Sequence, residues 1–568
     1  MIYKILAKYW GFSSFRSKQE EIIKSVLDGR DTLAILPTGG GKSICFQVPA
    51  MASDGIAIVV TPLISLMKDQ VENLSKRGIK SLAVYSGMTY SEIDVALDNA
   101  VYGDYKFLYV SPERLRTNIF IARLKKMKVN FLIIDEAHCI SQWGYDFRPD
   151  YLLIKEIRKE LSGVPVVALT ATATPKVAED IMEKLGFVEP NIIKSNFERD
   201  NLSYIVRRQE DKLGHLLKVC SGVKGSGIVY MRERLKCEEI ASFLRSNGVD
   251  ADFYHAGLSA EERSVKQMKW KKGDLRVIVA TNAFGMGIDK PDVRYVCHFA
   301  LPDSIESYFQ EAGRAGRDGL PAFAVLLWNG SDISRLKQIF NVSFPSLEYI
   351  ADIYQKVFMF LEVAYEDGAN RTFKFDLPEF VRHYKLQKAS AYYAIKYLEI
   401  SGYWTLTEEI DNPSRITFIV SRDELYKVQL DNDDLDYFIK SLMRIYPLLF
   451  STYVSIDEDY IARVMIDSKV NVVNNLKILS RMHVINYIPR VKSPLLFVNN
   501  ERLTESNLFI SKELYEKRKA ITKERMEAMI SYVQDEVAGE KICRSRRLVS
   551  YFGQTESYDC GKCDICRK

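Results

Sequence analysis

Long apolar runs are missing from this chain. Nothing in its 568 residues approaches the roughly 20 consecutive apolar residues that cross a bilayer as a helix, so a helical membrane protein is excluded. Cysteine is sparse, nine in all with none between Cys297 and Cys543, and a disulfide scaffold is not the expected source of stability. There is no low-complexity tract, and neither sign of charge dominates. The 79 Lys and Arg stand against 74 Asp and Glu, a net +5 that permits a nucleic-acid partner without requiring one. The opening MIYKILAKYW is interrupted by polar residues too soon for a signal peptide; export is not expected, and a reducing cytoplasm is the expected compartment. What remains, 47% hydrophobic and 27% charged residues, is the composition of ordinary globular domains, and the length calls for about three to five of them.

The segment TLAILPTGGGKSICF passes from β-branched and apolar residues through a glycine cluster to Lys42 and Ser43, then into an apolar-periodic stretch. This pattern predicts strand, phosphate loop and helix. Leu36 stands where the strict G-x-x-x-x-G-K-[ST] pattern has its first glycine. The rest of the loop, Thr38, Gly39, Gly40 and Gly41, still lets backbone N–H groups approach phosphates. Lys42 would neutralise the β- and γ-phosphates, and Ser43 would ligate Mg²⁺ at a helix N-terminus. Its partner is FLIIDEAH, a buried strand that brings Asp135 and Glu136 to its C-terminal edge. There Asp135 would hold Mg²⁺ and Glu136 would position an attacking water. Together the two segments point to ATP hydrolysis.

Further segments follow in a set order: GFSSFRSKQ ahead of the phosphate loop, TPLISLMKDQ and SPERL between the two sites, CISQWGYDFRPDY and ALTATAT after the second, and SYFQEAGRAGRDG near residue 310. This order resembles that of the superfamily-two helicases, and specifically the RecQ family, over roughly Tyr9 to Leu327. The resemblance implies an adenine pocket in which Phe12 stacks on the base, Arg16 stands beside it and Gln19 hydrogen-bonds the purine edge. TPLISLMKDQ and SPERL look like the family's strand-tracking loops, where small hydroxyls and backbone amides meet DNA phosphates. CISQWGYDFRPDY matches its aromatic-rich loop, with Trp143, Phe147 and Arg148 gripping single-stranded DNA by stacking beside a cation. Because that loop follows Glu136 and His138 directly, strand contact can be felt at the water-positioning carboxylate. Arg314 and Arg317, on one helical face after Gln310, would meet the γ-phosphate from a second lobe, with Arg317 as the arginine finger and Gln310 counted among the catalytic residues. That lobe carries no phosphate loop of its own, which suits one ATP shared between two lobes.

At the far end stands YDCGKCDICRK. Cys543, Cys560, Cys563 and Cys566, spaced C-x₁₆-C-x₂-C-x₂-C, can close a tetrahedral Zn²⁺ site with no open position, and the thioredoxin-like context of a redox pair is absent. These cysteines resemble the second half of the RecQ family's zinc module, a helical hairpin that in the family follows the motor at once. Its first half, SDISRLKQIFNV, stays attached to the motor, so the residues between read as an insertion. Two helix–turn–helix segments, each followed by a predicted β-hairpin, read as tandem winged helices. The first hairpin ends at RITFIV; the second is centred on YIPRVKSP, with Arg490 and Lys492 as a basic tip and Tyr487 just before it.

The expected fold class is α/β: two RecA-like parallel-sheet lobes, then α+β winged-helix modules and a helical zinc module. The expected boundaries are 1–200 and 201–330 for the lobes, 331–345 for the first half of the zinc hairpin, 346–430 and 431–510 for the winged helices, and 511–568 for the zinc module. The expected activity is ATP-dependent unwinding of DNA with 3′-to-5′ polarity in repair and recombination, with ATP, Mg²⁺ and Zn²⁺ as cofactors. Single-stranded and forked duplex DNA are the expected partners. Two other readings stand beside it: an RNA-dependent ATPase of the DEAH type, and a winged-helix zinc regulator of DNA.

Overall fold

Runs such as Ile56–Val60 and Val166–Thr170 have no polar face, and a strand of that kind is stable only where both sides are covered. In the computed structural model they lie inside parallel sheets. Residues 1–568 are described except 17, 38, 86, 87, 89, 286–289, 370, 407–409, 413, 421–424, 426–432, 447, 448, 451–453, 490, 535–540 and 568. Thr38 and Arg490 therefore lie outside the described residues.

The first sheet contains β1 (Thr32–Ile35), β2 (Ile56–Val60), β3 (Ser81–Val84), β4 (Phe107–Val110), β5 (Val129–Ile134), β6 (Val166–Thr170) and β7 (Ile192–Lys194), in the order β3-β4-β2-β5-β6-β1-β7. Leu33, Ile58 and Ile134 fill a core on one face, while Ala34, Val59 and Ile133 fill another with Phe46 and Met67. Strand β6 separates β1 from β5, so the loops leaving those two strands stand about 10 Å apart at one sheet edge. The second sheet, also parallel, contains β8 (Leu202–Arg208), β9 (Ser226–Tyr230), β10 (Ala251–Tyr254), β11 (Val277–Ala280), β12 (Val293–His298) and β13 (Ala322–Trp328), in the order β10-β11-β9-β12-β13-β8.

After the second sheet, helix Gly330–Ser343 packs against the long helix Lys512–Gln534, and the chain between them is the insertion. Its two winged helices are nested. The outer one comprises helices Leu347–Phe360, Leu377–His383 and Lys388–Ile400 with β14 (Thr372–Lys374), β15 (Trp404–Leu406) and, more than eighty positions later, β21 (Leu495–Val498), in sheet order β14-β21-β15. The inner one has β17 (Ser414–Phe418), helix Asp433–Ile445, β18 (Val454–Ile456), helices Glu458–Met465 and Lys469–Arg481, and β19 (Ile485–Ile488), in order β18-β17-β19. Between them β16 (Ile410–Asn412) pairs with β20 (Val491–Ser493).

The tandem reading with a boundary at 430/431 is thus corrected. RITFIV does not close a hairpin with Trp404–Leu406; it is the central strand of the inner module, paired to β18 and β19. Nor does INYIPRVKSPLLFV fold on itself. Its first strand pairs with β17 and its last with β15, and Lys492 sits in register opposite Asp411 rather than at a tip. Tyr487 is half-buried, opposite Ile416, and donates its hydroxyl to Glu458 at 2.9 Å. The reason is burial: Leu496 and Val498 fill a core with Trp404 and Phe358, while Ile416, Phe418 and Ile485 fill a separate one, and local hairpins would leave both cores open. In the inner module the strand that lies between its two neighbours comes first in the chain, so its entry and exit strands are antiparallel partners, flanked in the chain by the paired β16 and β20. The pairs Trp404↔Val498 to Leu406↔Leu496, Ile410↔Ser493 to Asn412↔Val491 and Arg415↔Ile488 to Phe418↔Ile485 succeed one another along the two chain segments as a two-stranded arm, and the register of the first set differs by one residue from that of the other two.

The arm rests on the first lobe. Thr405 donates to Asp150 at 3.1 Å, Arg116 bonds Asn499 and lies 4.8 Å from the Phe497 ring, and Arg415 meets Glu92 at 3.0 Å. The zinc-module helices share the lobes' core through Met529, Tyr532, Leu548 and Phe552; Phe552 contacts both Phe197 and Phe309, and Tyr532 contacts Tyr308.

Candidate active site

Strand β1 ends in a loop whose Gly39 and Gly41 adopt left-handed backbone (φ 83° and 74°), and Gly41 caps helix Lys42–Ala52. Lys42 and Ser43 therefore stand in the first turn, where unpaired N–H groups favour an anion. Lys42 Nζ lies 3.6 Å from Glu136 Oε1. Gln70 of the TPLISLMKDQ segment approaches Ser43 Oγ at 3.5 Å. Ahead of the loop, the Arg16 guanidinium donates to Gly39 O at 2.9 Å, and Gln19 Nε2 contacts Gly40 O and Gly41 O at 3.1 and 3.2 Å. Gln19 Oε1 accepts the Arg16 amide at 2.8 Å, and Phe12 is 53% exposed, its ring uncovered for a planar ligand.

The carboxylates follow β5. Burial and the adjacent Glu136 push Asp135 up to about 6. Burial pushes Glu136 up too, but Lys42 and His138 outweigh it and hold that carboxyl below its ordinary value. His138 is wholly enclosed, and burial lowers its pKa against the opposing pull of Glu136 and Asp146. Its Nδ1 lies 3.0 Å from Thr170 Oγ1 and 3.4 Å from Glu136 Oε2, and its ring stacks on Tyr145 at 4.5 Å. Tyr145 in turn donates to Gln310 Oε1 at 3.1 Å. A continuous path thus runs from the acidic pair through the aromatic-rich loop to the second lobe. Tyr145 was visible in CISQWGYDFRPDY, but nothing in the sequence marked it above Trp143 or Phe147.

From the second lobe, Arg317 reaches the phosphate loop: a Cβ built on Gly39 would lie 2.9 Å from Arg317 Cγ. Arg314 does not accompany it. Its side chain is buried in its own lobe, bonded to Gly285 O behind β11. The expectation of one helical face is corrected, since helix Ile305–Ala312 ends before both arginines and the chain turns through Gly316 at φ 63°.

In the aromatic-rich loop the rings point inward. Phe147 is buried with the Arg518 guanidinium 5.5 Å from its centroid, and Trp143 carries Lys176 Nζ at 3.2 Å and Lys517 Nζ at 4.7 Å. Arg148 is held by Asp146 at 3.0 Å and by Pro62 O at 3.1 Å. Arg525 of the zinc-module helix binds the carbonyls of Trp143 and Gly144 and, at 3.1 Å, Glu306 of the second lobe. Lys517, Arg518 and Arg525 lie nearly four hundred positions from the loop, and no local signal links them to it.

The four cysteines meet. Their Sγ atoms all lie within 4.8 Å of one another, with Cys543 and Cys563 at 3.9 Å. Four sulfurs about 2.3 Å from a tetrahedral Zn²⁺ stand about 3.8 Å apart, so the cage fits that ion. The amides of Cys560, Cys563 and Cys566 donate to Sγ of Cys543, Cys560 and Cys563 at 3.3, 3.3 and 3.4 Å, which favours thiolates. Behind them the fully buried Arg544 grips Asp564 with two bonds of 3.1 Å.

Known families match this arrangement piece by piece. The model for DEAD/DEAH box helicases covers residues 16–181, that for the helicase conserved C-terminal domain 209–319, that for the RecQ helicase winged-helix domain of Bacteroidota 416–489, and that for RecQ zinc-binding 497–567. The probable ATP-dependent DNA helicase RecS of Bacillus subtilis is 42% identical over 353 residues, 61% of this chain and 71% of that protein. The chain belongs to the RecQ family. Other RecQ relatives include the ATP-dependent DNA helicase RecQ of Pasteurella multocida, 45% identical over 59% of this chain and 53% of its own length. RecQ of Bacillus subtilis is 46% identical over 58% and 56%. The matched part spans little more than half of those two proteins. In this RecQ chain the winged-helix match falls on the inner module, and the zinc match takes in β21's last two residues along with the cysteines. Among the described residues no helix is long and apolar enough to cross a membrane.

Proposed function

We propose that this RecQ-family chain is an ATP-dependent DNA helicase that moves 3′ to 5′ along one strand and separates duplexes in DNA repair and recombination. The observation that carries the reading is the reach of Arg317 to Gly39, opposite Lys42 and Glu136, because it makes one site out of two lobes. Phe12, Arg16 and Gln19 would hold the adenine; Gly39 to Gly41 and Lys42 would hold the phosphates; Ser43 and Asp135 would hold Mg²⁺. Bound ATP and Mg²⁺ supply the phosphoryl group and the charge that organises it. Lys42 then exchanges its contact with Glu136 for phosphate, freeing that carboxylate to orient water, and Arg317 neutralises charge developing on the transferred group.

Trp143, Phe147 and Arg148 would serve the single strand, with Tyr145 and His138 carrying its effect to Glu136. Gln310 touches the same path from the second lobe, and Arg314 shapes the turn from which Arg317 projects. The nested winged helices, held on the first lobe by the arm, would grip duplex ahead of the motor. Four reduced cysteines suit a cytoplasmic setting. The test is unwinding of forked duplexes with the 3′ and 5′ tails varied, alongside ATPase stimulation by single-stranded DNA and by RNA. Stimulation by RNA alone would overturn the assignment.

A further inference from the structure

The cations around the aromatic-rich loop outnumber the anions that could pair with them. Asp146 is taken by Arg148 and Glu306 by Arg525. Lys176, Lys517 and Arg518 then have no carboxylate within ion-pair distance among the described residues. Arg518 Nη1 is buried and has no hydrogen-bond partner there. Burial and the neighbouring Arg525 depress Arg518 to about 10, against the smaller opposing pull of Tyr397 and Asp146. An arginine left this way costs stability unless something else is obtained. What these three groups touch instead are rings, Trp143 under both lysines and Phe147 under Arg518. Those faces are then closed to a stacking base.

We propose that Lys176, Lys517 and Arg518 form a phosphate-binding site for a single DNA strand, filled by exchange: the phosphodiester backbone takes the three cations and the uncovered rings take the bases. The inference rests on the DNA-translocating function proposed above and adds the zinc-module helix to the strand's track. The exchange is favourable in direction. A cation over an aromatic face is held weakly, whereas charge-assisted bonds to phosphate are stronger and release counterions as well. Lys517 and Arg518 share helix Lys512–Gln534 with Arg525, whose bonds to the loop backbone and Glu306 hold helix and loop in register while the rings change partners. Arg525 is thus a positioning residue rather than part of the phosphate site.

The test is the salt dependence of binding to a fluorescent oligothymidylate, using the intact zinc-loaded chain. For single strands each phosphate contact contributes about 0.7 to the slope of log affinity against log salt. Arg518→Gln and Lys517→Gln are each expected to lower the slope by about that amount, the pair by about twice it, and Arg518→Lys to restore most of it. A strand with neutral methylphosphonate links should bind wild type more weakly than the natural strand, with the gap narrowed in the double variant. Zinc content and melting temperature equal to wild type show that a variant is folded. Unchanged slopes in folded variants, with wild type binding the strand, overturn the inference and leave the helicase reading standing. If either single variant loses its zinc, the slope of Lys176→Gln decides alone, and an unchanged slope there overturns the inference. Failure of wild type to bind any single strand overturns both.

Discussion

At the scale of single residues, the site sorts its cations by what they face. Lys42 lies against Glu136, and on the proposed function Lys42→Ala would remove phosphate neutralisation and no strand contact. ATP turnover should be abolished while oligonucleotide affinity stays within a few-fold, measured by coupled ATPase and fluorescence anisotropy; normal turnover would sink the motor assignment. Arg317→Ala should still bind ATP yet hydrolyse it on the order of a hundredfold or more slowly, the usual loss for an arginine finger. Gly39→Ala separates geometry from charge at the same point. Its Cβ meets Arg317 Cγ at 2.9 Å on a left-handed backbone, so the cleft should fail to close even though every charged group remains. A fall in turnover there, without the loss of nucleotide binding expected of a broken phosphate loop, would place the defect at the lobe–lobe contact.

At the scale of elements, the arm is the feature that organises the insertion. Asn412 and Val491 are cross-strand partners, so a short turn joining them should excise the inner module without opening the outer one. The shortened chain is expected to keep zinc and single-strand-stimulated ATPase while losing most duplex affinity and fork separation. Unwinding equal to that of the full chain would remove the inner module from the apparatus. The arm's seat on the first lobe is also sensitive to pH. Burial lifts Asp150 to about 6, against about 3.9 for an exposed aspartate. A raised carboxyl contributes stability below its unfolded value and loses it as pH rises toward the folded one. The melting temperature of Asp150→Asn should therefore gain on wild type between about pH 4 and 6 and hold a constant lead above that. A constant difference across the whole range would mean that Asp150 is not strained by its burial.

At the scale of the whole molecule, the zinc module behaves as part of the motor rather than an appendix. Met529, Tyr532 and Phe552 lie in the core shared by both lobes, Lys194 donates to Phe552 O at 2.6 Å, and the Asp564 amide donates to Tyr204 O at 3.3 Å. Cys563→Ala, or removal of zinc by a strong chelator, should destabilise more than the cysteine segment. The loosened helix Lys512–Gln534 carries Arg525, so strand-stimulated ATPase should fall further than the basal rate. Atomic absorption showing equal zinc in wild type and Cys563→Ala would overturn the ligand assignment.

The lobes, the phosphate loop, the acidic pair and the four cysteines were legible along the chain, because each depends on residues close in sequence. A glycine cluster between an apolar run and Lys42 leaves the backbone little else to do, and three cysteines two residues apart admit few alternatives once Cys543 is added. Gln19 and Arg317 could be placed only through the order of segments they share with a family. Tertiary structure alone decided the rest. Strands such as Leu495–Val498 and Ile485–Ile488 are equally good partners for several others, and the choice falls to whichever pairing seals both winged-helix cores. Arg314 and Arg317 look alike in sequence, but one is swallowed by its own lobe and the other crosses to Gly39. Lys517, Arg518 and Arg525 reach the aromatic-rich loop only because the hairpin interrupted by the insertion closes again, and no periodicity or spacing encodes a contact between charges that far apart.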